Sequence, residues 1–335
     1  MMELLLRAAC LFFVNKECVR SSVCMLQMHL IKKLKTSFQI KFSNNQRFLC
    51  HTMGSKTVVF DSTSWEKIAE LSKPKDPGYI QFSQNDDYLY IKRTIGTICV
   101  YETEGFQLIK TIKSNKKFKL VEADFAITNT PFLILDTLNT KDGYQLALIN
   151  IEQGEHTVLT DFKDSTLIEL NQFIEAENSY LFTMTYENTR GYIDHQIVKV
   201  TEPIEKGSIE VIHNSEIWYW ESIIYSSIHS IYIVVQNYDL VILDGKFKKV
   251  LRKFSITNDK YPECLGYFQH IHLSNSGQFI IITYSKTVLI LGYDDLEPIV
   301  VEKIQYACFG EFSHDDRFLL IGTYENGYIL ENTLL

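Results

Sequence analysis

A ten-residue pattern recurs four times in this chain and limits what it can fold into. It reads IKFSNNQRFL from Ile40, IQFSQNDDYL from Ile80, IHLSNSGQFI from Ile271 and GEFSHDDRFL from Gly310. Each copy is a short alternating apolar run that ends in Ser, followed by a polar turn and then an aromatic and an aliphatic residue. The serines are Ser43, Ser83, Ser274 and Ser313. Alternation with period two marks strands, and a polar turn between two such runs marks a hairpin. The steps from Ser43 to Ser83 and from Ser274 to Ser313 are 40 and 39 residues. That is the length of a repeat of four short antiparallel strands.

A second series of turns fills the gap between Ser83 and Ser274. These turns lie around Gly54, Gly96, Gly143, Gly191, Tyr238, Lys286 and Gly327, with steps of 42, 47, 48, 47, 48 and 41 residues. Gly, Asn and Asp suit such hairpins because they tolerate positive φ. A strand pattern follows each turn, as in TVVFD from Thr57, TICVYE from Thr97 and LVILD from Leu240. In most units another follows, such as FQLIKTI from Phe106. The series predicts seven units, hence an all-β chain forming one seven-bladed β-propeller of four-stranded antiparallel blades. Aromatic residues make up 13% of the chain, which favours pleated, half-buried surfaces.

The repeats resemble those of the WD-repeat family and related bacterial propellers over residues 28–335. FSHDDRFLLIGTYENGYILENT, from Phe312, carries the resemblance best. The family's Gly-His dipeptide is missing, and Phe60-Asp61, Tyr101-Glu102 and Leu243-Asp244 stand where it has Trp-Asp. Its Asp–His–Ser–Trp hydrogen-bond network is therefore not carried over. The last unit runs out after its third strand, YILENT, leaving an edge that would invite aggregation. Propellers of this family close such a ring with an N-terminal strand, and HLIKKLKT, from His29, is the segment expected to complete the seventh blade.

Residues 1–27 form an N-terminal extension ahead of the repeats. Its apolar run from Leu4 to Val14 is interrupted by Arg7 and falls short of the about 20 residues a membrane-spanning helix needs. Three readings stay open: a weak helix packed on the propeller, a poor signal sequence, or an extension upstream of a natural start at Met28.

Little in the sequence speaks for chemistry. Phosphate-cradling loops of the GxxxxGK[ST] and GxGxxG types are missing, as is GxSxG. The seven cysteines are odd in number, irregularly spaced and without a CxxC pair, which fits a reducing compartment better than a disulfide or zinc framework. His270 and His272 would share one face of a strand, but two ligands do not make a metal site, and packed imidazoles are the simpler expectation. Asp86-Asp87 and Asp315-Asp316 fall in the same turn of the repeat, where carboxylates bond backbone amides. No catalytic residue, metal or cofactor is assigned. The net charge of −8 disfavours general nucleic-acid binding, and the lysine-rich stretch from Lys113 to Lys119 reads as an exposed loop between blades.

The segment EIWYWESIIY, Glu216 to Tyr225, stands out from the repeat. Read as the innermost strand of the fifth unit, it puts Trp218 and Trp220 on one face. They pack between blades or, together with Tyr219, contact a partner near the channel mouth. Trp218, Tyr219 and Trp220 are therefore the candidate binding residues. The functional expectation is a non-enzymatic platform that holds an unknown protein partner through its faces and loops. The alternative is a propeller hydrolase or small-ligand binder at the channel mouth. A monomeric cytoplasmic protein without a transmembrane segment is expected.

Overall fold

The repeated serine closes the turn between the first two strands of a blade. In the computed structural model, the Oγ atoms of Ser43, Ser83, Ser274 and Ser313 accept the backbone N–H of Phe48, Tyr88, Phe279 and Phe318 at 2.9–3.0 Å. Each hydroxyl also bonds the side chain two residues on, which is Asn45, Asn85, Ser276 or Asp315. All four serines are buried. A hydroxyl fits because it donates and accepts at once, leaving no buried polar atom unpaired.

The structure describes residues 29–335 except 36, 95, 117–118, 131, 142, 160–164, 188–192, 206, 216–219, 237 and 257–264. The extension 1–27 and the turn at Gly191 lie outside the described residues. Among those residues the strands form seven antiparallel sheets in chain order. Blades 1 to 6 span 40–71, 77–112, 119–158, 165–215, 222–255 and 268–303, and blade 7 starts at 307. Blade 3 departs from the pattern. Its innermost strand is split into Lys119–Leu120 and Ala126–Ile127, and both pieces pair with Leu133–Thr140.

Blade 7 is completed as expected. Leu30–Lys35 pairs antiparallel with Asn326–Glu331, setting Leu34 opposite Gly327. The Glu331 N–H donates to the His29 carbonyl at 2.8 Å. Leu34 is buried with Ile40 and Leu49 of blade 1 and Phe309 and Ile329 of blade 7, so the closing strand also seals the joint between last and first blades.

The apolar core is a set of seven clusters, each shared by two neighbouring blades. Val59 of blade 1 packs with Ile80 and Ile91 of blade 2, and Ile290 of blade 6 with Leu319 of blade 7. Polar ties repeat the arrangement. The Asp86 carboxylate accepts the N–H groups of Asn44 and Asn45 in the preceding blade at 2.8 and 2.7 Å. Asp316 does the same for Asn275 and Ser276. Of the paired acids, Asp86 and Asp316 thus bind backbone amides across a joint and Asp315 the Arg317 N–H of its own turn, while Asp87 accepts from the Asn85 side chain.

One joint holds a buried ion pair. Lys92 of blade 2 meets Asp136 of blade 3 at 2.6 Å, and both side chains are fully buried. Lys92 also donates to the Ala123 carbonyl at 2.8 Å. Burial outweighs the lysine's attraction and pushes the Asp136 carboxyl up to about 6. The desolvation cost of the pair is therefore large.

Because the strands run sequentially, the connections sort onto two faces. The upper face carries the turns between second and third strands and the links from blade to blade. The lower face carries the remaining turns.

Two outcomes test this arrangement. Deleting residues 28–36 should abolish soluble monomer; a variant that elutes and melts like the parent would contradict ring closure. Asp136→Ala should destabilise by about 3–5 kcal/mol, since it leaves the Lys92 charge buried alone. The Lys92→Met/Asp136→Leu double variant should recover most of that loss in denaturant melts.

Candidate functional site

The innermost strands bring charged groups together around the ring axis. Lys41, His272 and Glu311 occupy the same repeat position in blades 1, 6 and 7, two residues before the turn serine. Glu311 lies 3.5 Å from Lys41 and 3.6 Å from His270. His270 Nδ1 also lies 3.1 Å from the Gly310 carbonyl oxygen. Burial alone would raise the Glu311 carboxyl, but Lys41, His272 and His270 together overcome it and hold it at about 2. Glu311 in turn raises Lys41. His272 is pushed down to about 4, mainly by burial, and so stays neutral near pH 7. Asp124, in the break of blade 3's innermost strand, is raised by burial and accepts from Gln81 at 3.3 Å. These groups largely satisfy one another. Among the described residues no three His, Cys, Asp or Glu side chains are placed to hold one metal ion.

The upper face is different, because its side chains are left over. The four exposed tyrosines among the described residues are Tyr238, Tyr267, Tyr306 and Tyr324, with 43%, 71%, 45% and 60% of their surface accessible. All four sit in upper-face connections of blades 5 to 7. Their backbones are fixed by links between connections. The Ser285 N–H donates to the Tyr267 carbonyl at 2.8 Å, the Tyr324 N–H to that of Tyr306 at 3.2 Å, and the Ile256 N–H to that of Tyr238 at 2.7 Å. Phe38, in the link from blade 7 to blade 1, lies 5.8 Å from Tyr324. With Thr52, Gly54 and Pro77 these two rings line a shallow hollow of about 150 Å³.

Trp220 and Glu221 stand in an upper-face link as well. The innermost strand of blade 5 is Ser222–Ser226. Trp220 therefore stands in the link before that strand and not within it, while Trp218 and Tyr219 lie outside the described residues. Trp220 is buried between blades 4 and 5 beside Ile197, Tyr232 and Phe247. It meets His213 and Phe247 edge-on at 5.5 and 5.8 Å. Its Nε1 has no hydrogen-bond acceptor among the described residues. Next to it, burial raises the Glu221 carboxyl to about 7, and its Oε2 is likewise unpaired.

Sequence reasoning missed the tyrosines because two lie in blade-to-blade links without a shared motif and two in turns that were read only for their spacing. Only the strand count from each turn shows that they emerge at one end. It also missed the Lys41–Glu311 contact, since residues at opposite ends of the chain become neighbours only once the ring closes.

No family model matches the chain, and no curated protein matches it. Solved structures do. A chain of hydrazine synthase from Kuenenia stuttgartiensis superposes with a TM-score of 0.67 at 12% identity, covering 94% of this chain and 100% of that one. The Cps50 (Swd1) β-propeller domain of Myceliophteria thermophila gives 0.68 at 12% identity, covering 91% and 100%. At that identity the likeness is one of fold. No helix among the described residues is long and apolar enough to cross a membrane.

Glu221 offers a test of the site's electrostatics. Its folded value of about 7 lies above the ordinary 4.5, so the folded chain holds a proton across that window. Stability from this group is fully present below pH 4.5 and is lost as pH rises through about 7. Glu221→Gln should therefore melt like the parent at low pH and above it at pH 8. Parallel melting curves at all pH values would show that the carboxyl is not desolvated.

Proposed function

We propose that this chain is a non-enzymatic, WD-repeat-like binding platform that holds a protein partner on its upper face. The observation that carries the reading is the convergence of all four exposed tyrosines of the described residues on that face. A tyrosine offers a large contact area at a small cost in side-chain entropy and is enriched where binding energy concentrates. Backbone ties to the neighbouring turns fix the main chain that carries these rings before any partner arrives, which lowers the cost of association. Trp218 and Tyr219 are kept as proposed partner contacts, whereas Trp220 is buried in the joint between blades 4 and 5. The Swd1 neighbour shares the propeller architecture, a rigid ring that presents many loops on one face.

The inner-strand cluster supports the small-ligand alternative less well, because its charges already pair with one another. The reading extends to a monomeric ring in a reducing cytoplasm, where the buried thiols Cys50, Cys99 and Cys308 stay free.

The test is affinity capture from cells with the parent and with a Tyr267→Ala/Tyr306→Ala/Tyr324→Ala variant. Each truncation should cost about 1–2 kcal/mol of binding, so a stoichiometric partner should be lost at unchanged melting temperature. A partner kept by the triple variant would overturn the assignment of the face. The lack of any protein partner, with a small molecule retained instead, would overturn the function.

A further inference from the structure

The remaining sector of the upper face carries unmatched positive charge. Lys73 and Lys75 lie in the link from blade 1 to blade 2. Lys113 and Lys116 lie in the link from blade 2 to blade 3, Lys119 opens the first inner strand of blade 3, and Lys141 sits in that blade's second-to-third turn. All six are exposed. None of them forms an ion pair among the described residues. Arg93, at the same end of blade 2, is already committed to Asp76 at 3.1 Å. Of the other described acids near these links, Glu70 is paired with Lys56 and Lys67, Asp124 accepts from Gln81, and Glu122 is exposed. On the lower face the same three blades show the reverse: their turns carry Glu66, Asp87, Glu104 and Glu152 against Arg47.

The lysines are held as a group. The Leu120 N–H donates to Ser114 Oγ at 3.0 Å, folding the lysine-rich loop back on itself. Gly96, with φ of +83°, lets the Leu120 backbone press against the turn of blade 2; a Cβ there would run into the Leu120 carbonyl. Burial raises the Cys99 thiol, and Lys73 and Lys113 both act to lower it.

We propose that blades 1 to 3 of the upper face receive an acidic segment of the protein partner whose apolar contact sits on the tyrosines of blades 5 to 7. The inference rests on the proposed function and names the chemistry of its partner. Three observations select a carboxylate-rich peptide over a phosphate polymer or an anionic membrane. The charge is carried by lysine, a point charge, and the one nearby guanidinium is engaged, so forked recognition of phosphate is missing. Among the described residues, the connections that carry these lysines hold no exposed aromatic ring to stack a base. The chain's net charge of −8 opposes approach to an extended polyanion, whereas a short acidic segment meets only the local patch.

The full chain should be titrated with a short fluorescein-labelled all-glutamate peptide, and in parallel with oligouridylate RNA and phosphatidylserine vesicles. The peptide should bind, and its affinity should fall about tenfold or more with salt raised from about 50 to about 300 mM. Lys73→Glu/Lys113→Glu/Lys116→Glu should abolish binding without changing the melting temperature, because these side chains are exposed. The tyrosine triple variant should keep peptide affinity within about twofold, since it leaves the patch intact. No peptide binding, binding that survives the charge reversal, or tighter binding of RNA or vesicles would overturn the inference. A captured partner lost with the tyrosine variant but kept by the lysine variant would sink this inference alone. One kept by the tyrosine variant would sink the proposed face.

Discussion

No blade of this protein has a core of its own. A four-stranded sheet a few residues wide has two apolar faces and nothing to cover them with, so each face is buried by the next blade. Seven sheets make seven such joints, and every large apolar cluster of the described residues bridges two blades. Burial at about 25 cal/mol per Å² of apolar surface is thus available only to the assembled ring. The closing strand follows from this requirement. Leu34 is buried against both last and first blades, so the strand supplies part of the seventh joint as well as the last row of backbone hydrogen bonds.

The polar chemistry obeys the same rule. Asp86 and Asp316 sit in one blade and satisfy amides of the blade before it. Lys92 and Asp136 meet only across a joint, as do Lys41 and Glu311. This is why the conspicuous acids and histidines of the sequence resolve into structure. Groups brought together by ring closure are mostly consumed by it. The upper-face tyrosines and lysines are the exception, because they project away from every joint.

What could be read from the sequence follows the same division. The serine turns were legible because one hydroxyl must make the same two contacts in each copy, so the letters repeat. The blade count was legible from turns whose spacing is set by strand length. The closing strand followed from the unpaired edge. The break in blade 3 was not legible, since LVEADFAI keeps the apolar pattern while Asp124 turns inward. Lys92 in YLYIKR reads like a solvated strand end, and nothing local reveals Asp136 waiting 44 residues on. Trp220 was placed on a strand, but the strand starts two residues later. The lysine loop was visible as a run of charge; its three companions on neighbouring links were not, because they are scattered in sequence and gathered only by topology.

The pairing of the closing strand also decides how this molecule can be handled. His29 and Glu331 are bonded neighbours at the lower rim, so the described chain enters and leaves the ring side by side. An anchor, a dye or a fused domain joined at either point hangs beneath the disc. The tyrosine and lysine sectors then face outward together, like the dial of a watch held by its back.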